Sequence, residues 1–336
     1  MHHPLSRLLA CLLLLTLLAT SAFAATDPFA QNKRLGRGVN ILGWDPAWRD
    51  LSNARFQQEY FRLIHEAGFS SVRIVMYPFA DAKRNDGKIS DTWFHTLDWA
   101  IDHALANHLM ADLDFHEYEA MSDDPIGRKD LFLSIWKQIA EHCKDRPSDV
   151  LFEVLNEPHG KLTPQLWNQL LAEAHDLIRK SNSDRTLIIG PGQWNGIGEL
   201  KDLQLPEDDH NIIVTVHYYS PMKFTHQGAS WAGQTETGVH WTGSPEERQA
   251  VTRDFDKAQD WAAAHHRPIF LGEFGAYDKA DMDSRARWTS CVAREAEARG
   301  WSWAYWQFTN DFVLYDIQKH HWVEPILHAL IPPDAK

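Results

Sequence analysis

Eight short, apolar, β-rich runs alternate with longer amphipathic stretches along this chain, and that alternation restricts its fold more than any other feature. The runs lie at residues 38–42, 71–76, 110–115, 150–155, 186–190, 212–218, 268–274 and 302–308. Between them, apolar residues recur at helical spacing over 54–67, 92–107, 128–142, 164–180, 246–265 and 284–299, with a weaker helical signal around 200–205. Pro164 behind Thr163 reads as a first-turn proline after an N-cap, and Gly68 as a helix stop. Strands that alternate with helices form parallel sheets, either doubly wound and open or closed into a barrel. An open nucleotide-binding sheet carries its phosphate-binding glycines after an early strand. Here Gly36-Arg37-Gly38 precedes its run instead. The expected fold is therefore α/β, a single-domain (β/α)8 TIM barrel filling residues 26–336.

Residues 1–25 stand apart from that pattern. His2, His3 and Arg7 precede an apolar run from Leu8 to Ala19, and Ser21-Ala22-Phe23-Ala24-Ala25 offers small residues at cleavage spacing. This reads as an export signal cut after Ala24 or Ala25. The apolar run is about 12 residues, short of the roughly 20 that a membrane-spanning helix needs. Cys11 lies ahead of most of the run, which argues against lipidation. The expected product is secreted or periplasmic, with no membrane attachment, and nothing demands more than a monomer. A net charge of −13 argues against a nucleic-acid partner, which requires a basic footprint. Fifteen tryptophans and sixteen phenylalanines suit a core, but also the stacking of sugar rings. Cys143 and Cys291 fall on the helices after the third and seventh runs. In a barrel these are on opposite sides, too far apart for a bridge.

Active sites of such barrels lie at the C-terminal ends of the strands. There the runs carry Asn40, Arg73, His116, Asn156-Glu157-Pro158, His217-Tyr218-Tyr219, Glu273 and Trp306. A single strand-end carboxylate is as readily a helix cap or an arginine partner. Two of them, Glu157 on the fourth run and Glu273 on the seventh, weaken that reading. A protonated and an ionised carboxyl group facing each other are what cleavage of a glycosidic bond requires. An arginine within a barrel strand needs a carboxylate, and Glu273 is the obvious partner for Arg73. Strand alternation turns His217 and Tyr219 one way and Tyr218 the other. Nineteen histidines invite a metal, yet His265-His266 and His320-His321 are adjacent pairs that cannot converge on one ion, and there is no HExxH. No metal or cofactor is expected.

Taken together, these elements resemble glycoside hydrolase family 5, the endoglucanase and mannanase family of the retaining (β/α)8 clan. The resemblance rests on Arg73 in Val-Arg-Ile, His116, Asn156-Glu157-Pro158, His217-Tyr218-Tyr219, Gly272-Glu273-Phe274-Gly275 and Trp306 in Ala-Tyr-Trp-Gln-Phe, in that strand order. It implies Glu157 as acid/base, Glu273 as nucleophile and Asn156 as a contact to the sugar 2-hydroxyl. It implies further that Arg73 and Tyr219 hold Glu273, that His116 and His217 hold substrate hydroxyls or tune Glu157, and that Trp306 is a stacking platform. Asn40, at the end of the first run, is expected beside them. The loop from Pro221 to Gly228, with Trp231 and Trp241 beyond it, is similar to a loop of bacterial endoglucanases and is expected to wall the leaving-group side. Trp44 and Trp48 offer further stacking. The implied substrate is a β-1,4-glucan polysaccharide or oligosaccharide. A mannanase or xyloglucanase on the same machinery, a transglycosylase and a catalytically silent sugar-binding barrel are the alternatives.

Overall fold

The structure, a computed structural model, describes residues 27–333, so the expected export signal and Cys11 lie outside the described residues. Eight parallel strands close on themselves in sequence order. They are β1 (Arg37–Ile41), β2 (Ser71–Met76), β3 (Met110–Phe115), β4 (Val150–Glu153), β5 (Leu187–Ile189), β6 (Ile212–Tyr218), β7 (Ile269–Phe274) and β8 (Ser302–Tyr305). β8 pairs back onto β1 through Arg37↔Trp303 and Val39↔Tyr305. Every expected run is a strand, and the expected (β/α)8 barrel is the fold.

The outer helices follow the expected stretches to within three residues at each end, except for one start. The helix expected over 54–67 begins at Glu59. Buried Asp45 takes the backbone N–H groups of Arg55 and Phe56, which holds those residues in a loop. The weak signal at 200–205 is a 3-10 turn, Ile197–Asp202. Six short helices (Pro28–Leu35, Phe79–Arg84, Tyr118–Asp123, Gly192–Asn195, Met222–Thr225, Glu324–Leu330) and the hairpin of Tyr315–Asp316 with His321–Trp322 were not expected.

Side chains inside the barrel form layers. The floor is apolar: Met110, Leu151, Ile188, Ile213, Phe270 and Ala304 point inward and meet Leu35. Leu35 ends the helix Pro28–Leu35, started by the Asp27 side chain on Phe29 N and by Pro28 in the first turn. Gln31 and Asn32 of that helix bond Ser148 O and Ile269 O, pinning it under the barrel. Two residues further along each strand the interior turns polar, with Arg73, Asp112 and Glu153.

One irregularity decides which way Glu273 faces. On β6 and β7, Val216 pairs with Leu271 but His217 with Glu273, so Gly272 is an extra residue, a β-bulge. Strict alternation from inward Phe270 would turn Glu273 outward. The bulge resets the phase, so Glu273 faces inward and Phe274 packs outward among Trp288, Trp303 and Tyr305. A Cβ at Gly272 would lie 2.5 Å from Thr215 Oγ1 and 3.0 Å from His217 Nε2, so only glycine fits. Asn40 Nδ2 donates to the carbonyl of Gly272 at 3.1 Å.

Cys143 and Cys291 are both buried, free thiols, as expected, and burial pushes the Cys143 thiol up to about 12. In protein lacking residues 1–25, a thiol reagent without reductant should label two thiols after unfolding and label them only slowly when native. Fewer than two in denaturant would mean a bridge the fold does not allow.

Candidate active site

Arg73 of β2, 1% exposed, sits at the centre of the polar layer. Its Nε and Nη2 grip the Glu153 carboxylate at 2.6 and 2.8 Å. Nη1 donates to Asn40 Oδ1 at 2.8 Å and to Glu273 Oε1 at 2.7 Å. Nη2 also reaches Asn156 Oδ1 at 2.8 Å and lies 3.1 Å from Asp114 Oδ2. Burial alone would favour losing its proton, but the surrounding carboxylates outweigh that and hold the guanidinium charged. The expected Glu273 partnership exists. The tighter, two-pronged one is with Glu153, which the sequence reading missed.

The acids around Arg73 outnumber it, and burial settles the balance by adding protons. Burial pushes Asp114 up to about 7, with Arg73 opposing. Asp112 is driven well above the usual carboxylate range by burial and by Glu153 beside it. His116 Nδ1 lies 2.5 Å from Asp114 Oδ2, and its Nε2 is 3.4 Å from Asn156 Nδ2. Burial lowers His116 to about 3, so the ring is neutral at neutral pH.

Glu157 and Glu273 face each other above this layer. Glu157 adopts φ 41°, in the left-handed region. Such a conformation costs about 1–3 kcal/mol in a residue with a side chain and persists where its surroundings enforce it. Here His159 Nδ1, which also touches Ser122 Oγ, lies 2.9 Å from the Glu157 carbonyl. Glu157 Oε1 is 2.7 Å from His217 Nδ1, and His217 Nε2 is 3.3 Å from Asn195 Nδ2. Burial lowers His217 to about 4 and raises Glu157 to about 8, Arg73 only partly offsetting the latter.

Glu273 differs in its partners. Arg73 takes Oε1, and the Tyr219 hydroxyl donates to Oε2 at 2.9 Å. Burial raises its carboxyl as well, with Arg73 opposing. One ligand atom each of Glu157, His217 and Glu273 lies within 4.8 Å of the others. Among the described residues this is the one trio close enough to ligate an ion, although its atoms are engaged with one another, with Arg73 and with Tyr219.

The remaining expected residues fall into place around the pair. Trp306 is partly exposed and stacks on His116 at 5.5 Å, whereas Trp303 and Tyr305 are core. Tyr219 points into the site, while Tyr218 faces outward onto Asp254 and Trp288. Asn40 is a support and not a mouth residue: it is 1% exposed, with both ends of its amide bonded, to Arg73 and to the Gly272 and Tyr305 carbonyls. Each expected tryptophan pair splits. Trp44 (75% exposed, stacked on Tyr77 at 3.8 Å) and Trp231 (63%) are open, while Trp48 and Trp241 are buried. A third open ring, Trp194, stacks on His159 at 3.4 Å and was missed. So were Asp112, Asp114, Glu153 and Asn195. Period-two alternation back from His116 and from Glu157 would have found the first three.

A closed (β/α)8 barrel with two carboxyl groups opposed across its C-terminal mouth is the architecture of a large class of glycoside hydrolases. Within that class, the sequence profile described as Cellulase (glycosyl hydrolase family 5) matches residues 34–312, and the chain belongs to this family. It is 30% identical over 94% of its length to Endoglucanase H of Acetivibrio thermocellus, and 26% identical over 85% to Endoglucanase 3 of Fibrobacter succinogenes. It spans only 35% and 52% of the lengths of those two relatives. Cel5A of Thermotoga maritima, solved with cellobiose, is 44% identical with a TM-score of 0.85, covering 91% of this chain and 100% of that one. The same protein with mannotriose gives 0.86.

Replacing Arg73 would strand Glu153 and Glu273 without a counter-charge. Arg73→Met should lower the unfolding free energy by about 3–5 kcal/mol, as for one partner lost from a buried ion pair. Urea denaturation reads this directly; a loss under 1 kcal/mol would mean that the acids simply take up protons.

Proposed function

We propose that the chain is a retaining endo-β-1,4-glucanase, exported by its N-terminal segment. The observation that carries the reading is the close approach of Glu157 and Glu273. Retaining glycosidases hold their carboxyl groups about 5–5.5 Å apart, while inverting ones leave about 6.5–9.5 Å for a water. The unequal surroundings of the pair supply the two roles. Glu157, raised to about 8, holds a proton at neutral pH. Glu273, bonded by a guanidinium and a phenol, is kept ionised.

In the first step a Glu273 oxygen attacks the anomeric carbon. Glu157 gives its proton to the glycosidic oxygen as the carbon–oxygen bond breaks, leaving a glycosyl ester on Glu273. In the second step Glu157, now a carboxylate, takes a proton from water. That water attacks the same carbon and frees Glu273, so the configuration is retained. With the amide of Asn195 donating to His217 Nε2, the imidazole proton sits on Nδ1 and points at Glu157 Oε1. The Glu157 proton is then on the other oxygen, toward the substrate. Asn156 Nδ2 has one hydrogen toward His116 and a second for a sugar hydroxyl. Trp306 offers a stacking face beside the pair, and the open rings of Trp44, Trp194 and Trp231 lie on separate loops around the mouth. That spread suits a polymer lying across the cleft. No helix among the described residues is long and apolar enough to cross a membrane.

Mannan is the second substrate reading, favoured by the mannotriose complex of the Thermotoga maritima relative. Reducing-sugar release on carboxymethylcellulose, glucomannan, galactomannan and xyloglucan separates the readings. Activity on glucans that is abolished by Glu273→Ala is expected; activity confined to mannans would overturn the substrate, and none on any of the four would favour the silent barrel. The anomer first released, followed by proton NMR, should be β, and an α product would refute retention.

The pH profile follows from the two carboxyl groups. kcat/KM should fall as pH rises through about 8, where Glu157 loses its proton, and fall in acid as Glu273 gains one, on a limb lying above the ordinary glutamate range. Glu157→Gln should erase the basic limb and cost about 10²–10⁴-fold on unactivated glucan. With a dinitrophenyl leaving group, which departs unprotonated, the first step should be nearly spared.

A further inference from the structure

The chain beyond β5 makes a turn in which Gln193, Trp194 and Asn195 all adopt left-handed backbone angles, φ 50°, 64° and 52°. Such angles cost a residue with a side chain about 1–2 kcal/mol each, and they are ordinarily taken singly. The turn touches the acid at both ends. Trp194 N donates to the Pro158 carbonyl at 3.2 Å, and its ring lies on His159, which holds the Glu157 carbonyl. Asn195, fully buried, reaches the Glu157 carboxyl group through His217.

His217 is a neutral ring, so it carries one proton, on one of its two nitrogens. Nδ1 meets Glu157 Oε1 at 2.7 Å. Nε2 has Asn195 as its one hydrogen-bond partner among the described residues, at 3.3 Å. An amide nitrogen only donates and an amide oxygen only accepts. The end of the amide that Asn195 turns to His217 therefore decides which ring nitrogen is bare. Gly190, at the end of β5, bears on that choice. A Cβ there would fall 2.2 Å from Asn195 Oδ1, 2.5 Å from its Cγ and 2.9 Å from Nδ2, so the amide packs directly on the glycine backbone. Oδ1 is buried there with no conventional partner. A Cα–H group is a weak donor to an oxygen and offers nothing to an N–H. Turned over, the amide would bury two N–H groups against Gly190 in place of one oxygen, at a higher cost.

We propose that Asn195 is a positioning residue whose amide, held donor-first by Gly190 and the left-handed turn, selects the His217 tautomer and with it the direction in which Glu157 delivers its proton. The three residues act in series, and Asn195 acts only through the other two. An acceptor at position 195 would reverse the series: Nε2 would carry the proton, Nδ1 would be bare, and Glu157 would turn its own proton onto the ring and away from the leaving oxygen. The consequence for the leaving group rests on the glucanase reading; the tautomer does not require turnover.

The test is the tautomer of His217 at neutral pH, read by NMR from its two ring-nitrogen resonances in protein labelled with heavy-nitrogen histidine and assigned by their loss in His217→Asn. In the wild type Nδ1 should be protonated and Nε2 bare. Asn195→Asp keeps the shape and tolerates the left-handed angle, but presents an acceptor, and should reverse the pattern. Asn195→Gly takes the same angle without strain and should leave both tautomers populated. On an unactivated cello-oligosaccharide, kcat should fall about tenfold to a hundredfold in the Asp variant, a part of what general acid catalysis is worth, and less in the Gly variant. KM should hold in both, since a buried amide does not meet substrate. The burst of dinitrophenolate from an activated cellobioside, whose departure needs no acid, should keep its rate. A merely structural role would slow both substrates alike and leave the tautomer as it was. A proton on Nε2 in the wild type, or an Asp variant with the wild-type tautomer and kcat, would overturn the proposal. The wild-type spectrum and the Gly variant decide the matter even if Asn195→Asp fails to fold. If the tautomer responds as expected but the wild type cleaves no glucan, the glucanase reading falls and the positioning role stands.

Discussion

The buried guanidinium of Arg73 is the contact on which the rest of the site depends. From β2 it ties together side chains of β1, β3, β4, the loop after β4, and β7: Asn40, Asp114, Glu153, Asn156 and Glu273. No apolar residue could span those strands with fixed geometry. A lysine, with a single charged centre, would lose the fork that grips Glu153 while still reaching Glu273. The cost of placing this charge where water cannot reach is met by acids, and burial drives part of their surplus, on Asp112 and Asp114, toward the protonated form. The interior is thus a cluster of opposed charges and not a bare cation. Its field reaches Glu273 directly through Arg73 Nη1 and Glu157 only at a distance.

That difference in distance, more than any difference in burial, separates the two glutamates. Both leave water. Glu273 is repaid by a cation and a phenol, while Glu157 has a neutral imidazole. Two backbone irregularities aim them at one another: the bulge at Gly272 turns Glu273 inward, and the left-handed φ of Glu157 turns it back across the mouth. Neither would be tolerated in a regular strand or helix. Both sit where side chains from neighbouring loops and strands, His159 and Asn40, hold the displaced backbone.

Much of this was legible in the sequence because it is periodic. Strand positions, the barrel and the inward face of His217 and Tyr219 follow from spacing alone. What escaped was whatever breaks a period or has none. The Gly272 bulge is invisible to an alternation rule, and Glu273 was found by its place at the end of the seventh run in spite of it. Asp45 holding Arg55 and Phe56 in a loop delayed a helix by five positions, and that capture depends on residues brought together only by the fold. The division of Trp44 from Trp48, and of Trp231 from Trp241, depends on loop paths that composition does not encode. By contrast Glu153, Asp112 and Asp114 were legible and overlooked: they lie at even spacing from residues already judged to point inward.

The floor of the barrel has a consequence for the traffic of protons. Leu35 and six strand side chains stopper the axis beneath Arg73, so the ionisable interior meets solvent only through the mouth. A polymer laid across Trp306 and the outer rings would cover that opening. Until the leaving group departs, the protons shared by the carboxyl groups and imidazoles inside would be a closed inventory, exchanged among neighbours and not with the medium. The surrounding pH would then choose which molecules begin a turnover, and the barrel itself would set what happens within it.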